Sequence, residues 1–114
     1  MHLKIIHYNN FNGAIQAYQR ALKIKPNDEI NLNKLGEVLW NAKRFPEALD
    51  HFKRALKINP KYPYAHLNLG QAFALVNDKA TAIVHTRYSA KLFRKSGDKN
   101  GETKARQSLS VLYE

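Results

Sequence analysis

The 114-residue chain contains no cysteine, which removes disulfides, thiolate metal ligands and a cysteine nucleophile from consideration. Its four prolines and five glycines are too few for a collagen-like or Pro/Gly-rich disordered segment, so each marks a particular place in the chain. No apolar run approaches the roughly 18 residues of a membrane span, and Met1 to Tyr8 lacks the cleavage region and apolar core of a signal peptide. The expected compartment is the cytoplasm. Acidic residues are scarce: nine Asp and Glu stand against nineteen Lys and Arg, a formal charge of +10. That imbalance favours acidic partners without choosing among proteins, nucleic acids and membrane surfaces. With 44% hydrophobic and 25% charged residues the chain reads as one soluble globular domain.

What is present recurs every 34 residues. Ala14, Ala48 and Ala82 stand at this spacing, as do Gly36 and Gly70, Pro26 and Pro60, and Tyr18 and Phe52. The run Arg20-Ala-Leu-Lys-Ile-Lys-Pro26 returns as Arg54-Ala-Leu-Lys-Ile-Asn-Pro60. The most complete copy reads Leu32-x2-Leu35-Gly36-x2-Leu39, then Ala48-x3-Phe52, Ala55 and Pro60. A period of this length with these residue types resembles the tetratricopeptide repeat. The resemblance implies an all-α fold, a right-handed α-solenoid of stacked helix-turn-helix repeats, whose first helices line a concave groove for a partner's peptide or helix.

In chain order, residues 1–28 read as a truncated first repeat. Met1 to Tyr8 makes only about two helical turns, Asn9-Asn10 is the expected turn, and Phe11 to Ile24 the second helix. Leu3, Ile5 and Ile6 call for a covering neighbour. Pro26 stops that helix, and Asn27 or Asp28 can cap the next. The second repeat, 29–62, has expected helices at Glu29–Asn41 and Pro46–Ile58. Glycine inside a helix costs ~1 kcal/mol relative to alanine, so its recurrence at Gly36 and Gly70 points to a close approach of two helices. The third repeat, 63–100, departs from the pattern: Thr86 holds the aromatic position, Ser89 the next small position, and Arg94 stands where proline is expected. Leu69 to Leu109 is 40 residues, six more than the period. The second helix is therefore expected to reach Lys95 or Ser96, with Gly97 to Gly101 as the break, and the spacing resembles the longer 40-residue class of the repeat. Residues 101–114 form a terminal helix, either a cap for the stack or the first half of a further repeat.

Carried over residue by residue, the resemblance puts Ile30, Asn33, Glu37, Trp40 and Asn41 in the groove from the second repeat. Tyr64, Leu67, Asn68, Gln71, Ala74 and Leu75 follow from the third, and Lys104, Gln107 and Val111 from the last helix. Amides suit an extended peptide because they donate and accept together. Trp40 and Tyr64 offer rigid contact area, or else pack against neighbouring helices. Some family members clamp the acidic tail of heat-shock chaperones with Lys, Asn, Asn, Lys and Arg; here those positions hold Asn33, Glu37, Asn68, Lys104 and Ser108, and Glu37 would repel a carboxylate. Arg20, Lys23, Arg54, Lys57, Arg87 and Lys91 recur on second helices as a basic convex face, extended by Arg94, Lys95 and Lys99. Such a stripe is commonly a solvated surface; as a site it would contact phosphate or acidic protein in a salt-sensitive way.

No catalytic constellation stands out, so the expected function is non-enzymatic, without cofactor or metal. His2, His7, His51, His66 and His85 include no His-x3-His pair, although His51 and His85 share a repeat position. Gly97-x3-Gly101 lacks the Lys-Ser/Thr of a phosphate-binding loop. The leading expectation is a protein-interaction scaffold with an acidic protein or peptide partner. A self-associating homo-oligomer, formed by helix exchange or end-to-end stacking, is the alternative. Nucleic acid ranks last.

Overall fold

A computed structural model describes the backbone from His2 to Glu114 and the side chains from Phe11 onward. Met1 and the side chains of Leu3, Ile5 and Ile6, with the neighbour expected to cover them, lie outside the described residues. Among the described residues there are six helices and no strand: α1 (His2–Ile24), α2 (Glu29–Asn41), α3 (Phe45–Ile58), α4 (Pro63–Leu75), α5 (Lys79–Ser96) and α6 (Lys99–Leu112). They fall into two compact units, Met1–Ile58 and Asn59–Glu114.

In the first unit α1 packs on α2 and α2 on α3. α1 runs without a break through Asn9 and Asn10, where the sequence pattern placed a turn. The equivalent residues of the later repeats, Lys43 and Asn77, reverse the chain in the left-handed conformation at φ 65° and 63°. Asparagine tolerates the left-handed conformation without requiring it, so the residue type at this position does not by itself end the helix. Asp28 caps α2, accepting from the amides of Ile30 at 3.0 Å and Asn31 at 3.3 Å, as its residue type and position imply. The seam between α2 and α3 is apolar: Leu32, Leu35 and Leu39 meet Ala48, Phe52 and Ala55, all buried. A Cβ on Gly36 would stand 2.5 Å from the Phe52 ring. The glycine is therefore what lets the ring lie against the α2 backbone, and burying such a ring contributes ~1.5–3 kcal/mol.

The second unit packs α4 on α5 and α5 on α6, with a lighter α4–α6 contact. Three seam positions change chemistry 34 residues on: Leu32 becomes His66, Phe52 becomes Thr86 and Ala55 becomes Ser89. All three stay buried. The Ser89 hydroxyl donates to the Pro63 carbonyl at 2.9 Å. His66 Nε2 lies 2.7 Å from the Pro60 carbonyl and its Nδ1 lies 3.0 Å from His85 Nδ1. A carbonyl only accepts, so His66 carries its proton on Nε2 and, when neutral, accepts the Nδ1–H of His85. Burial pushes both imidazoles below the ordinary histidine pKa; the Pro60 carbonyl partly restores His66, and the charge of His66 further lowers His85.

The aromatic of this unit is displaced to Phe93, two turns beyond Thr86 and fully buried among Leu67, Ala90 and Ala105. Its ring occupies the space that a Cβ on Gly101 would need, so Gly101 is a close-approach glycine within α6. The break between α5 and α6 is correspondingly shorter than the five residues expected. Gly97, at φ 79°, ends α5, and Asp98 at once caps α6 by accepting from the Gly101 amide at 2.9 Å. One left-handed residue followed by a capping carboxylate suffices to start a new helix. The Tyr64 hydroxyl also donates to Asp98, at 2.8 Å. These two hydrogen bonds, the Gly101 amide first, hold the Asp98 carboxyl below its usual pKa.

Candidate functional site

The candidate groove residues of the first unit divide into exposed and covered groups. Ile30 and Asn41 are exposed, Glu37 and Trp40 half-buried. Trp40 stacks edge-on against Phe45 at 4.6 Å, so part of its ring serves packing between α2 and the start of α3. Asn33 is only 2% exposed, with its amide 3.5 Å from the Glu37 carboxylate.

Leu67, one period after Asn33, is likewise covered, at 4% exposure. It belongs to the core with Phe93 and Ala105 rather than to a ligand-facing surface. On α6 the matching position by the 40-residue offset is Gln107, which is exposed. One repeat position is thus core at Leu67, over which α6 closes, and surface at Gln107. Tyr64 is 40% exposed, but its ring packs edge-on against Phe93 at 4.8 Å and its hydroxyl is engaged by Asp98. Asn68 is half-buried; Gln71, Ala74, Leu75, Lys104 and Val111 are exposed.

Several of these residues converge. Gln71 and Ala74 from α4, with Ser108 and Val111 from α6, line a cavity of about 250 Å³. Its floor is Gly70, Thr86 and Leu112. The Thr86 hydroxyl is buried without a hydrogen-bond partner. A ring at this position, like Phe52 over Gly36, would add bulk at the floor; threonine leaves that space open. The departure at Thr86 was legible in the sequence, but that it opens a cavity was not, because the cavity also needs α6 beside α4.

Arg20, Lys23, Arg54, Lys57, Arg87 and Lys91 are all exposed. Arg54 pairs with Asp50 at 4.0 Å, and the Arg87 guanidinium donates to the Tyr113 hydroxyl. His51, which shares its repeat position with His85, instead has Nδ1 2.8 Å from the Glu47 carbonyl. The residue that meets His85 is His66, on the neighbouring helix. Among the described residues no three His, Asp or Glu side chains gather as metal ligands, and no helix is long and apolar enough to cross a membrane.

The family profile described as TPR repeat matches residues 8–43 and 41–76. The chain belongs to the tetratricopeptide-repeat family. Among curated relatives, this TPR chain is 41% identical over 69 residues to the peroxisomal targeting signal receptor of Candida glabrata, covering 59% of the chain and 12% of the receptor. It is 32% identical over 76 residues to the protein O-mannosyl-transferase TMTC3 of Mus musculus, covering 66% of the chain and 8% of that protein. The chain therefore spans about a tenth of the length of these relatives. Among solved structures, the TPR2B domain of yeast Sti1 in its pHsp70 complex superposes with a TM-score of 0.83 at 17% identity, over 96% of this chain and 88% of that one. At that identity the likeness establishes the shared TPR fold. Within that fold, the residues matching the motif, such as Leu35, Gly36, Ala48 and Phe52, are framework.

Proposed function

We propose that this TPR chain is a protein-interaction module that holds an extended peptide of a partner protein against the exposed faces of α4 and α6, with one apolar side chain of the peptide seated between them. The carrying observation is the 250 Å³ cavity in which Gln71, Ala74 and Val111 come together over Gly70 and Thr86. A small concave site lined mostly by apolar atoms, with the Gln71 amide and the Ser108 and Thr86 hydroxyls as its polar groups, suits an anchor side chain and its backbone. The charge of +10 gives the partner an acidic character. Similarity to a targeting-signal receptor and to a chaperone-binding domain supports a peptide as the ligand class. The chaperone tail itself fits poorly: of the clamp positions, Asn33 is buried and Glu37 brings a negative charge. The role is that of an adaptor acting in the cytoplasm; the transferase name of one relative belongs to a protein of which this chain covers 8%.

A random-peptide library panned with the chain tests the reading. Bound sequences should share an apolar anchor, and Val111→Asp should weaken the best of them about tenfold or more. Thr86→Phe, which refills the floor, should do the same while leaving the unfolding midpoint no lower. Peptides that bind both variants as tightly as the unaltered chain would place the site elsewhere.

A further inference from the structure

Among the described residues, one buried side-chain polar atom has no hydrogen-bond partner, the hydroxyl oxygen of Thr86. The residue is 1% exposed and stands with Gly70 at the floor of the α4–α6 cavity. Its polar neighbours in the same helix pair are satisfied: His66 meets the Pro60 carbonyl and His85, and Ser89 donates to the Pro63 carbonyl. A hydroxyl removed from water without a partner keeps its full desolvation penalty. Valine, of nearly the same shape, would avoid that penalty, and an aromatic like Phe52 would bury more apolar surface. Packing therefore gives no reason for the threonine, whereas a group entering the cavity would supply the missing bond.

The cavity also describes that group. In the first unit the Phe52 ring lies against the bare backbone of Gly36; in the second only the Thr86 hydroxyl lies against Gly70, and Gly70 itself lines the cavity floor. A glycine without Cβ lets a flat ring approach the helix backbone closely. Ala74, Val111 and Leu112 make the walls apolar, so the body of the entering group is apolar, and a volume of about 250 Å³ suits one side chain rather than a larger ligand. A ring with a hydroxyl at its far edge meets both demands, and the side chain of that description is tyrosine. Phenylalanine would fill the space and leave the hydroxyl beneath it unpaired. A helical threonine has two accessible χ1 wells, so the Thr86 hydroxyl can turn toward the entering group without a shift of α5.

Building on the peptide site described above, we propose that Thr86 selects the anchor. The partner peptide inserts a tyrosine between α4 and α6, its ring over Gly70 and against Ala74 and Val111, its phenolic hydroxyl bonded to that of Thr86. Gln71, exposed, and Ser108, half-buried, remain for the peptide backbone. Discrimination against phenylalanine follows because the analogue that lacks the hydroxyl leaves a buried polar group unmatched.

The peptides selected by library panning are the probes. The tightest should carry tyrosine at the anchor, and changing it to phenylalanine should weaken binding about tenfold in calorimetric titration. Thr86→Val should bind the tyrosine and phenylalanine peptides within about twofold of each other, with an unfolding midpoint no lower than that of the unaltered chain. Thr86→Ser, which keeps the hydroxyl, should retain the preference. Val111→Asp should weaken both peptides, which locates the ring in this cavity. Tightest peptides anchored by leucine or phenylalanine, equal binding of the pair by the unaltered chain, or a preference that survives Thr86→Val overturns the selection by Thr86 and leaves the peptide site standing. A library without binders, or binders indifferent to Val111→Asp, overturns the site and the selection with it.

Discussion

The two units share a backbone plan and differ in what fills it. In the first, the seam between the paired helices is Leu32, Phe52 and Ala55, and Gly36 lies against an aromatic ring. In the second, the same places hold His66, Thr86 and Ser89, and Gly70 lies against a hydroxyl. Burying three polar side chains is tolerable only if their hydrogen bonds are met. Two of the three are met, by the carbonyls of Pro60, just ahead of α4, and of Pro63, its first residue, and by His85. The lost aromatic burial is recovered two turns later by Phe93, which packs on Leu67 and on the close-approach Gly101 of α6. The repeat pattern thus specifies where helices meet, while the location of the largest apolar contact can move to a different helix pair. Where that ring is missing, Thr86 stands at the floor of the cavity between α4 and α6.

The comparison is broken most directly at the aromatics. Phe52→Ala and Phe93→Ala should each destabilise by about 3–5 kcal/mol in urea titration, the range for emptying a ring-sized core site. Thr86→Ala should cost under about 1.5 kcal/mol, since the removed hydroxyl is unpaired; a cost equal to that of Phe52→Ala would show that the seam had not shifted.

Next come the glycines. Gly36→Ala should cost about 1–3 kcal/mol by pressing a methyl into the Phe52 ring. The new Cβ of Gly70→Ala meets the Thr86 hydroxyl, so adding Thr86→Ala should recover most of its cost, with a coupling of about 0.5–3 kcal/mol. Additive effects would show that the two residues do not press on each other.

The polar seam also predicts a pH dependence that the apolar seam lacks. His66 and His85 are held neutral, so below the ordinary histidine pKa the unfolded chain binds more protons than the folded one. Stability is then complete above that pKa and declines as pH falls through it toward the lowered folded values. His66→Leu, which restores the residue of the first unit, should flatten the unfolding midpoint across that window. A midpoint as steep in the variant as in the parent would assign the titration to other groups.

The smallest difference is at the turns. Lys43 and Asn77 both sit at positive φ, where asparagine is tolerated better than a long side chain. Lys43→Gly should raise stability by up to about 1 kcal/mol, and Asn77→Gly by less; thermal melts would show the order reversed if the turns were not equivalently strained.

How much of this was legible in the sequence follows from how local each signal is. The 34-residue spacing, Pro26, Asp28, Pro63 and Gly97 act within a turn or two of chain, and they determined the helical repeat and most helix ends from composition and order alone, though not the start of α6 at Lys99. Asn9-Asn10 misled because asparagine permits a turn without imposing one: the same position turns at Lys43 and Asn77 but remains helical in α1. The tertiary structure decided which face of each helix stays accessible. Leu67 and Gln107 occupy one repeat position, yet Leu67 is core, packed with Phe93 of α5 and Ala105 of α6, and Gln107 is surface. It also paired His85 with His66 rather than with His51, brought Gln71 beside Val111, and set Phe93 against Gly101. Each of those contacts joins two helices, and no periodicity within one helix specifies what lies across from it.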